Sequence, residues 1–332
     1  MSLLYGDDFS EQTIFSSDSS YNFCYIFNDN TKILSAENLN LPAIILTNSC
    51  YYGMFNNCSS LTTAPELPAT TMWSFCYSDM FNGCTALTTA PVLPAATLAN
   101  YCYYQMFYNC SSLITAPELH AATLATSCYY SMFSGCTSLT VAPELPATTL
   151  AETCYSYMFK NCTSLTTAPE LPATTLTKGC YIRMFNNCTS LIDAPELLAT
   201  NPQGGSRIGD ISYYEMFCSC TSLVNAPSIL PATTLTGSCY NSMFKGCTSL
   251  EKAPELPATT LVNGCYNEMF YGCSSLNYIQ ALFTTTPSNT YTKDWVNGVA
   301  ATGTFVKNAE ATWNVSGVNG IPTGWTIETA NN

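Results

Sequence analysis

The chain has 332 residues, of which 47% are apolar and only 9% are charged, and its formal net charge is −13. This length accommodates two ordinary domains or one long repeat array, and the composition permits a large core but disfavours long disordered segments. The acidic balance leaves no basic surface that could follow a phosphate backbone, so we expect no binding to nucleic acid or to an anionic membrane.

Residues 1–48 precede the regular part of the sequence and are predicted to form an N-terminal cap with a degenerate first repeat around Cys24. The opening stretch MSLLYGDDFSEQ has no basic region and is not a signal peptide. A run of about 18 apolar residues occurs nowhere, so we expect no membrane insertion. These features predict a cytosolic or virion protein, or one from which an export segment has been removed.

Residues 49–276 are predicted to form a repeat array. A Met-Phe pair recurs nine times, mostly at steps of 26 residues, with one step of 32 and one of 27. The longer steps hold an insert around residues 201–207 and an extra residue near Ser228. Self-similarity at a fixed period indicates a solenoid or a related repeat architecture. The methionines of the pairs are Met54, Met80, Met106, Met132, Met158, Met184, Met216, Met243 and Met269.

Each unit is predicted to contain a short α-helix, a turn and a short strand. Cys180 and Met184 are spaced i and i+4, which places them on one face of a helix. Asn187 stands where the helix should end, and eight of nine units carry Asn or Gly there, the residues that best accept a left-handed conformation. Leu191 begins an extended run that ends at Pro195, because proline cannot donate to a ladder.

Such a unit cannot bury its own apolar face, but neighbours stacked in register can. We therefore predict an α/β fold: a right-handed solenoid of about nine units, with a narrow parallel sheet, short helices and a cap at each end. At about 4.8 Å per strand, the sheet would be on the order of 40 Å across.

Residues 277–332 depart from the period and are predicted to form a β-rich C-terminal cap. They hold three of the four tryptophans, Trp295, Trp313 and Trp325, together with β-branched residues and the turn pair Asn319-Gly320. A separate binding module in this segment is the alternative.

The cysteines form two columns: the cysteine of each Cys-Tyr pair (the first column) and the cysteine eight residues later (the second column). On a helix such a pair would be roughly 10 Å or more apart, beyond the roughly 7 Å limit for Cα atoms of a disulfide. Metal sites usually contain Cys-x-x-Cys or paired histidines, and the sequence has neither. A catalytic thiol needs a base, and His120 is the single histidine of the chain. We predict reduced cysteines that pack in the core, with some disulfides or a metal site as alternatives. Ser212 replaces one first-column cysteine and agrees with packing.

The repeat resembles the BspA-like leucine-rich repeats of bacterial surface proteins, whose unit reads I-P-x-x-V-x-x-I-G-x-x-A-F-x-x-C-x-x-L-x-x-I. Met132-Phe133 stands in for Ala-Phe, Cys136 for the cysteine and Leu139 for the leucine, and the likeness covers residues 40–280. The C-terminal run also looks like tails of repeat proteins from gut bacteria and their phages. The resemblance implies a leucine-rich-repeat solenoid, an extracellular, cell-surface or virion-associated location, and recognition without enzymatic activity or a cofactor.

Two surfaces are candidates for binding a partner. One is a column of residues on the sheet face. The residue type is nearly constant in the early repeats and varies in the later ones, so Thr167, Asp193 and Asn225 are candidate contacts. A ladder of glutamates beside it would be a solvated stripe or, as the alternative, a calcium site, although no Asp-x-Asp pattern accompanies it. The column comprises Thr63, Thr89, Thr115, Val141, Thr167, Asp193, Asn225 and Lys252, and the glutamates are Glu66, Glu118, Glu144, Glu170, Glu196 and Glu255.

The other surface lies on the predicted helices, where tyrosines recur next to the Cys-Tyr pair. Exposed tyrosine offers contact area at low entropic cost, so this strip is a candidate for recognition, with drift on an unconstrained surface as the alternative. Its members are Tyr52, Tyr104, Tyr130, Tyr157 and Tyr214.

These features predict a non-enzymatic recognition or adhesion protein that binds a cell-surface glycan or protein. Identical glutamates in identical settings do not supply the paired, differently tuned groups that acid–base chemistry needs. A structural component that self-assembles through its sheet or caps, for example in a phage particle, is the alternative.

Overall fold

The computed structural model describes residues 21–205 and 211–330. The predicted N-terminal cap before residue 21, and residues 206 and 207 of the predicted insert, lie outside this part. The chain divides into two compact units, Met1–Cys162 and Thr163–Asn332. Within each unit, residues one repeat apart in sequence are neighbours in space; Phe55 and Phe81, for example, have ring centroids 5.6 Å apart. Each unit is therefore a stack of coils, one coil per repeat.

The α-helices predicted for each unit are wrong, because the described residues contain no helix. The Cys-Tyr-x-x-Met-Phe segment is a ribbon of consecutive turns, which we call the turn ribbon. In the first regular coil, the Met54 N–H donates to the carbonyl of Tyr51 at 3.2 Å, three residues back. The next N–H, of Phe55, donates to the carbonyl of Met80 in the following coil at 2.9 Å. An α-helix would satisfy both donors internally.

Left-handed residues spaced four apart prevent the ribbon from being a helix. In the second coil they are Phe75, Asp79 and Gly83, with φ of 60°, 56° and 74°. A left-handed conformation costs a non-glycine residue roughly 1–2 kcal/mol, and it persists where the surroundings hold it in place. Hydrogen bonds between coils hold it here, since the N–H groups of these residues donate to carbonyls of the next coil.

The predicted narrow parallel sheet is present mainly as single-residue bridges between neighbouring coils. Thr89 pairs with Thr115 in the first unit, and Asn225 pairs with Lys252 in the second. An Ala-Pro pair follows both residues of each of these two bridges and limits the bridge to one residue, because proline has no N–H to donate.

Among residues 21–205 and 211–330, full strands form at three places, each free of proline: β1 (Tyr278–Ala281), β2 (Thr304–Lys307) and β3 (Thr326–Thr329). They make a parallel sheet in the order β1-β2-β3, in which Tyr278 pairs with Thr304 and Thr304 pairs with Thr326.

Tryptophans anchor the segment that contains β2 and β3. Trp295 is fully buried, and its indole N–H donates to the carbonyl of Gly320 at 2.9 Å. The indole N–H of Trp325 donates to the carbonyl of Ala300 at 2.8 Å. Each ring thus buries a large apolar surface and satisfies its single donor. The assignment of residues 277–332 as a cap remains a prediction.

Two columns of stacked aromatic rings run through the core of each unit. In the first unit Tyr77 and Tyr103 are 6.0 Å apart with planes 10° from parallel, and Phe107 and Phe133 are 5.7 Å apart. These rings are buried, and fully burying a phenylalanine contributes roughly 2–3 kcal/mol. The columns continue one ring per coil. In the second unit they comprise Tyr181, Tyr213, Tyr240 and Tyr266, and Phe185, Phe217, Phe244 and Phe270.

The cysteines pack beside these rings, as predicted; all except Cys24 and Cys218 are buried. Second-column thiols donate to the carbonyl of the phenylalanine in the preceding coil, as Cys136 does to Phe107 at 3.1 Å and Cys247 does to Phe217 at 3.1 Å. Cysteine therefore fits this position as a small apolar residue that also satisfies a buried carbonyl. Ser212, which replaces a first-column cysteine, donates to the carbonyl of Thr177 at 2.8 Å.

Candidate partner-binding surfaces

In the first unit the predicted tyrosines line the outside of the turn ribbon. Tyr104 and Tyr130 stack with centroids 4.9 Å apart and planes 8° from parallel. Tyr130 and Tyr157 are 5.3 Å apart but tilted by 49°, because Tyr157 lies one position later in its unit, at the left-handed residue. The three rings form one continuous surface, which we call the tyrosine strip. Each ring is partly exposed.

Tyr52 is separated from the tyrosine strip by the coil that carries Asp79. Asp79 as a whole residue is only 7% exposed, and its carboxylate accepts hydrogen bonds from Ser78 Oγ at 3.1 Å and Asn82 Nδ2 at 2.8 Å. Burial raises the pKa of Asp79, while hydrogen bonds from Asn82, Ser78 and Tyr52 oppose that rise. Burial also raises the pKa of Tyr52, and its hydrogen bond to Tyr25 adds to the effect.

Two aromatic residues beside the tyrosine strip were missed by sequence reasoning. Phe75 and Tyr101 stack at 4.6 Å with planes 2° from parallel, and Tyr101 also contacts Tyr104 at 6.0 Å. Both precede a Cys-Tyr pair, a position that sequence reasoning treated as part of a helix. Their repetition one period apart was the available signal.

Tyr214 in the second unit has different surroundings. The Arg183 guanidinium lies over its ring at 5.3 Å and pairs with Glu215, with Nε 2.8 Å from Oε2. Burial raises the pKa of Tyr214 to about 12, and its hydrogen bond to Glu215 acts in the same direction. A similar pair, Lys245 and Glu268, joins the next two coils at 2.6 Å. This part of the ribbon is charged and internally paired, unlike the tyrosine strip.

The predicted sheet-face residues of the second unit lie together in one column. Parallel bridges join Thr167 to Asp193, Asp193 to Asn225, Asn225 to Lys252 and Lys252 to Tyr278. Asn225 Nδ2 donates to Asp193 Oδ1 at 2.6 Å, and the Lys252 ammonium lies 5.2 Å from the Tyr278 ring centroid. A carboxylate, an amide, an ammonium and a ring thus stand side by side on an exposed face. We call these five residues the polar column.

The described residues contain no cluster of three or more His, Cys, Asp or Glu side chains placed to hold a metal ion. Nor is there, in residues 21–205 and 211–330, a helix with the length and apolarity needed to cross a membrane.

Comparison with known families decides the classification. The model of the BspA type leucine rich repeat region, present in six copies, matches residues 12–140, 103–196 and 200–293. The chain belongs to the BspA-type leucine-rich repeat family. This BspA-type protein therefore has a leucine-rich-repeat solenoid fold, as the sequence predicted, although its units lack the predicted helices. Leucine-rich repeat families are in general non-enzymatic binding scaffolds, and no catalytic family is indicated.

Two solved structures resemble the BspA-type chain. A leucine rich cell surface protein from Faecalibacterium prausnitzii A2-165 is 14% identical over 88% of this chain and 78% of that one, with a TM-score of 0.25. A TLR13–ssRNA13 complex is 13% identical over 87% of this chain and 42% of the other, with a TM-score of 0.29. At these TM-scores neither likeness bears on what this chain binds. No curated protein matches the chain.

Proposed function

We propose that this protein is a non-enzymatic recognition protein that acts at a cell or virion surface and binds a protein partner through the tyrosine strip. Membership of the BspA-type family supports a binding scaffold. The observation that carries the proposal is the stack of Tyr104, Tyr130 and Tyr157 on the outside of three successive coils. Such a surface has no structural task in the core, where the buried tyrosines form their own column.

The stack also determines which chemistry suits the strip. Tyr104 and Tyr130 cover each other's faces, so mainly ring edges and hydroxyl groups point outward. Rings already held by their neighbours lose little further freedom on binding, which lowers the entropic cost of association. A protein surface can use such edges and hydroxyls, whereas a flat sugar face would need an uncovered ring.

The polar column of the second unit favours a second candidate, a glycan. Asp193, Asn225 and Lys252 offer acceptors and donors at neighbouring bridge positions, and Tyr278 adds an aromatic ring. Sites that hold sugars need such convergent polar groups to fix orientation. Thr167 extends this column by one hydroxyl group.

Self-assembly remains the structural alternative, and β3 supports it. This strand pairs on one side with β2, and all four of its residues are exposed. An exposed edge strand can pair with another chain. Assembly would then depend on β3 and be insensitive to changes in the tyrosine strip.

The proposal is tested with a triple variant, Tyr104→Ala, Tyr130→Ala and Tyr157→Ala, in binding assays on cultured epithelial cells and on a glycan array. We expect cell binding by the wild type to weaken by at least about tenfold in the variant, because aromatic anchors dominate interface energies. Tyr108→Ala, a tyrosine change elsewhere on one of these coils, serves as the matched control and should bind normally. Equal binding by the triple variant and the wild type would refute the proposal. Glycan-array binding that depends on Asp193 and Asn225 would support the second candidate, and a defined oligomer without cell binding would support assembly.

A further inference from the structure

One coil of the first unit breaks the glutamate ladder. Glu66 and Glu118 occupy equivalent positions, three residues after the bridge residues Thr63 and Thr115. The coil between them carries Val92 there, and this side chain is 75% exposed. An aliphatic side chain thus replaces a carboxylate at an exposed position of this edge. Single exposed apolar residues are common, so the exposure of Val92 alone does not indicate a binding site. Its surroundings must be considered.

Those surroundings form a groove of about 340 Å³ between two neighbouring coils. Val92 lies on one wall, and the proline pairs of the two Ala-Pro-x-Leu-Pro segments supply most of the rest. Volumes above about 300 Å³ fall in the range of ligand-binding clefts. Proline rings are rigid, so the groove exists without a binding partner and costs little entropy to fill. The prolines are Pro65, Pro68, Pro91 and Pro94.

One carboxylate, that of Glu66, lines this groove directly. A second, that of Glu118, lies outside the groove on the coil beyond Val92; its side chain is 90% exposed and stands 3.9 Å from Nε2 of His120. Glu144 continues the ladder one coil further. Coils spaced at about 4.8 Å place the Glu66 and Glu118 backbones on the order of 10 Å apart, with Val92 on the coil between them. The surface therefore alternates negative, apolar and negative along the coil axis.

We propose that this groove, which we call the Val92 groove, is a second binding site that takes a basic segment of a protein partner with an aromatic residue between lysines or arginines. The aromatic ring packs against Val92 and the proline rings, a pairing of ring types that proline-recognition domains use with the roles exchanged. The flanking cations face Glu66 and Glu118. Three residues of extended chain span about 10 Å, which matches the spacing of the Glu66 and Glu118 backbones.

The test measures fluorescence anisotropy of labelled synthetic peptides with the full chain. The probe is KRWRK, and the comparison peptides are KRARK and EEWEE. We expect KRWRK to bind, KRARK to bind on the order of tenfold more weakly, and EEWEE not to bind. Absence of KRWRK binding, or equal binding of KRWRK and KRARK, would overturn the inference.

Two sets of protein variants separate the apolar and the charged contributions. Val92→Thr keeps the shape of the side chain and should weaken KRWRK but not KRARK, whereas Val141→Thr, at another exposed valine, should change neither. The double variant Glu66→Gln and Glu118→Gln should weaken both basic peptides and reduce their salt dependence, and Glu152→Gln is its control. All these side chains are exposed, so unfolding temperatures should stay unchanged. Undiminished KRWRK binding by Val92→Thr would contradict the assignment of the groove.

This site is independent of the tyrosine strip. The Tyr104→Ala, Tyr130→Ala and Tyr157→Ala variant should bind KRWRK as the wild type does, so failure of one proposal leaves the other standing. Loss of KRWRK binding in that variant would instead assign the peptide to the tyrosine strip and overturn the Val92 groove.

Discussion

At the scale of the residue, the cysteines illustrate how burial controls chemistry. Burial raises the pKa of Cys76 and of Cys273 to about 12 in each case, with backbone hydrogen bonds opposing the rise. The thiolate is the reactive form of cysteine, so buried thiols with a raised pKa are inert near neutral pH. Cys24 and Cys218 are only partly buried and are the accessible exceptions.

We therefore expect that native protein reacts with a thiol reagent at Cys24 and Cys218 alone, while denatured, unreduced protein reacts at all nineteen cysteines. Mass spectrometry of the labelled protein identifies the sites. A count of fewer than about ten after denaturation would mean that disulfides are present and would contradict the packing interpretation.

The left-handed residues make a second prediction at this scale. Gly135 has a φ of 81°, and an added Cβ would collide with the side chain of Asn109 in the preceding coil. Gly135→Ala should therefore lower the free energy of unfolding by roughly 1–2 kcal/mol. Gly237→Ala is the control, since the nearest atom to its new Cβ would be 3.6 Å away. Urea denaturation measures both, and equal midpoints would contradict the argument.

At the scale of the element, the turn ribbon replaces a helix because its backbone N–H groups donate to carbonyls of two different coils. Half of its N–H groups bond within the ribbon, and the others reach the next coil, as Phe185 does to the Met216 carbonyl at 2.9 Å. A single ribbon removed from its neighbours would leave those donors unsatisfied. Its conformation is therefore a property of the stack and not of the segment.

The Arg183–Glu215 pair joins two such ribbons and makes their contact sensitive to pH. Burial of Glu215 raises its pKa, but hydrogen bonds from Arg183 and Tyr214 outweigh this, and the net pKa is lowered. The stabilisation is therefore present above the unfolded glutamate pKa of about 4.3 and is lost as pH falls through the folded value.

Glu215→Gln should lower the free energy of unfolding by roughly 1–2 kcal/mol at neutral pH, because the pair is charge-assisted and largely sheltered from solvent. Below the folded pKa the difference between variant and wild type should shrink towards zero. Urea denaturation of wild type and variant, at neutral pH and at a pH below the folded pKa of Glu215, measures this difference in the free energy of unfolding. The same difference at the two pH values would show that the carboxylate charge does not contribute.

At the scale of the whole molecule, the repeat period sets the tolerance to deletion. Removing residues 112–137 takes out 26 residues (137 − 112 + 1), joins Ser111 to Ser138 and restores the Cys-Ser-Ser-Leu sequence of a normal coil. Because each coil contacts its neighbours at equivalent positions, the shortened protein should fold with its aromatic columns intact.

Removing residues 112–124, half a period, should instead prevent folding of the first unit, because ribbon positions would face Pro-Glu-Leu-Pro segments. Near-ultraviolet circular dichroism and thermal denaturation distinguish the two outcomes. A folded half-period deletion, or an unfolded full-period one, would contradict the register argument.

The sequence by itself determined the period, the residues that fill the core and the family, because burial acts on residue type and repeats identically in every coil. Cys136, Phe133 and Leu139 could be placed in the core without coordinates. The helix assignment failed because apolar residues spaced four apart fit both a helix and a ribbon of turns over so short a segment. Only the distribution of hydrogen bonds between coils separates these two structures.

For the candidate sites too, the sequence determined some features and the tertiary structure determined others. Sequence identified the tyrosines and the sheet-face residues as repeated exposed positions, but their contacts depended on the tertiary structure. The tertiary structure decided that Tyr104 and Tyr130 stack while Asp79 separates Tyr52 from them. It also decided that Val92 lies in a groove lined by prolines. Periodicity specifies which residues become neighbours. The side-chain geometry that makes neighbours into a surface arises only when the coils are packed.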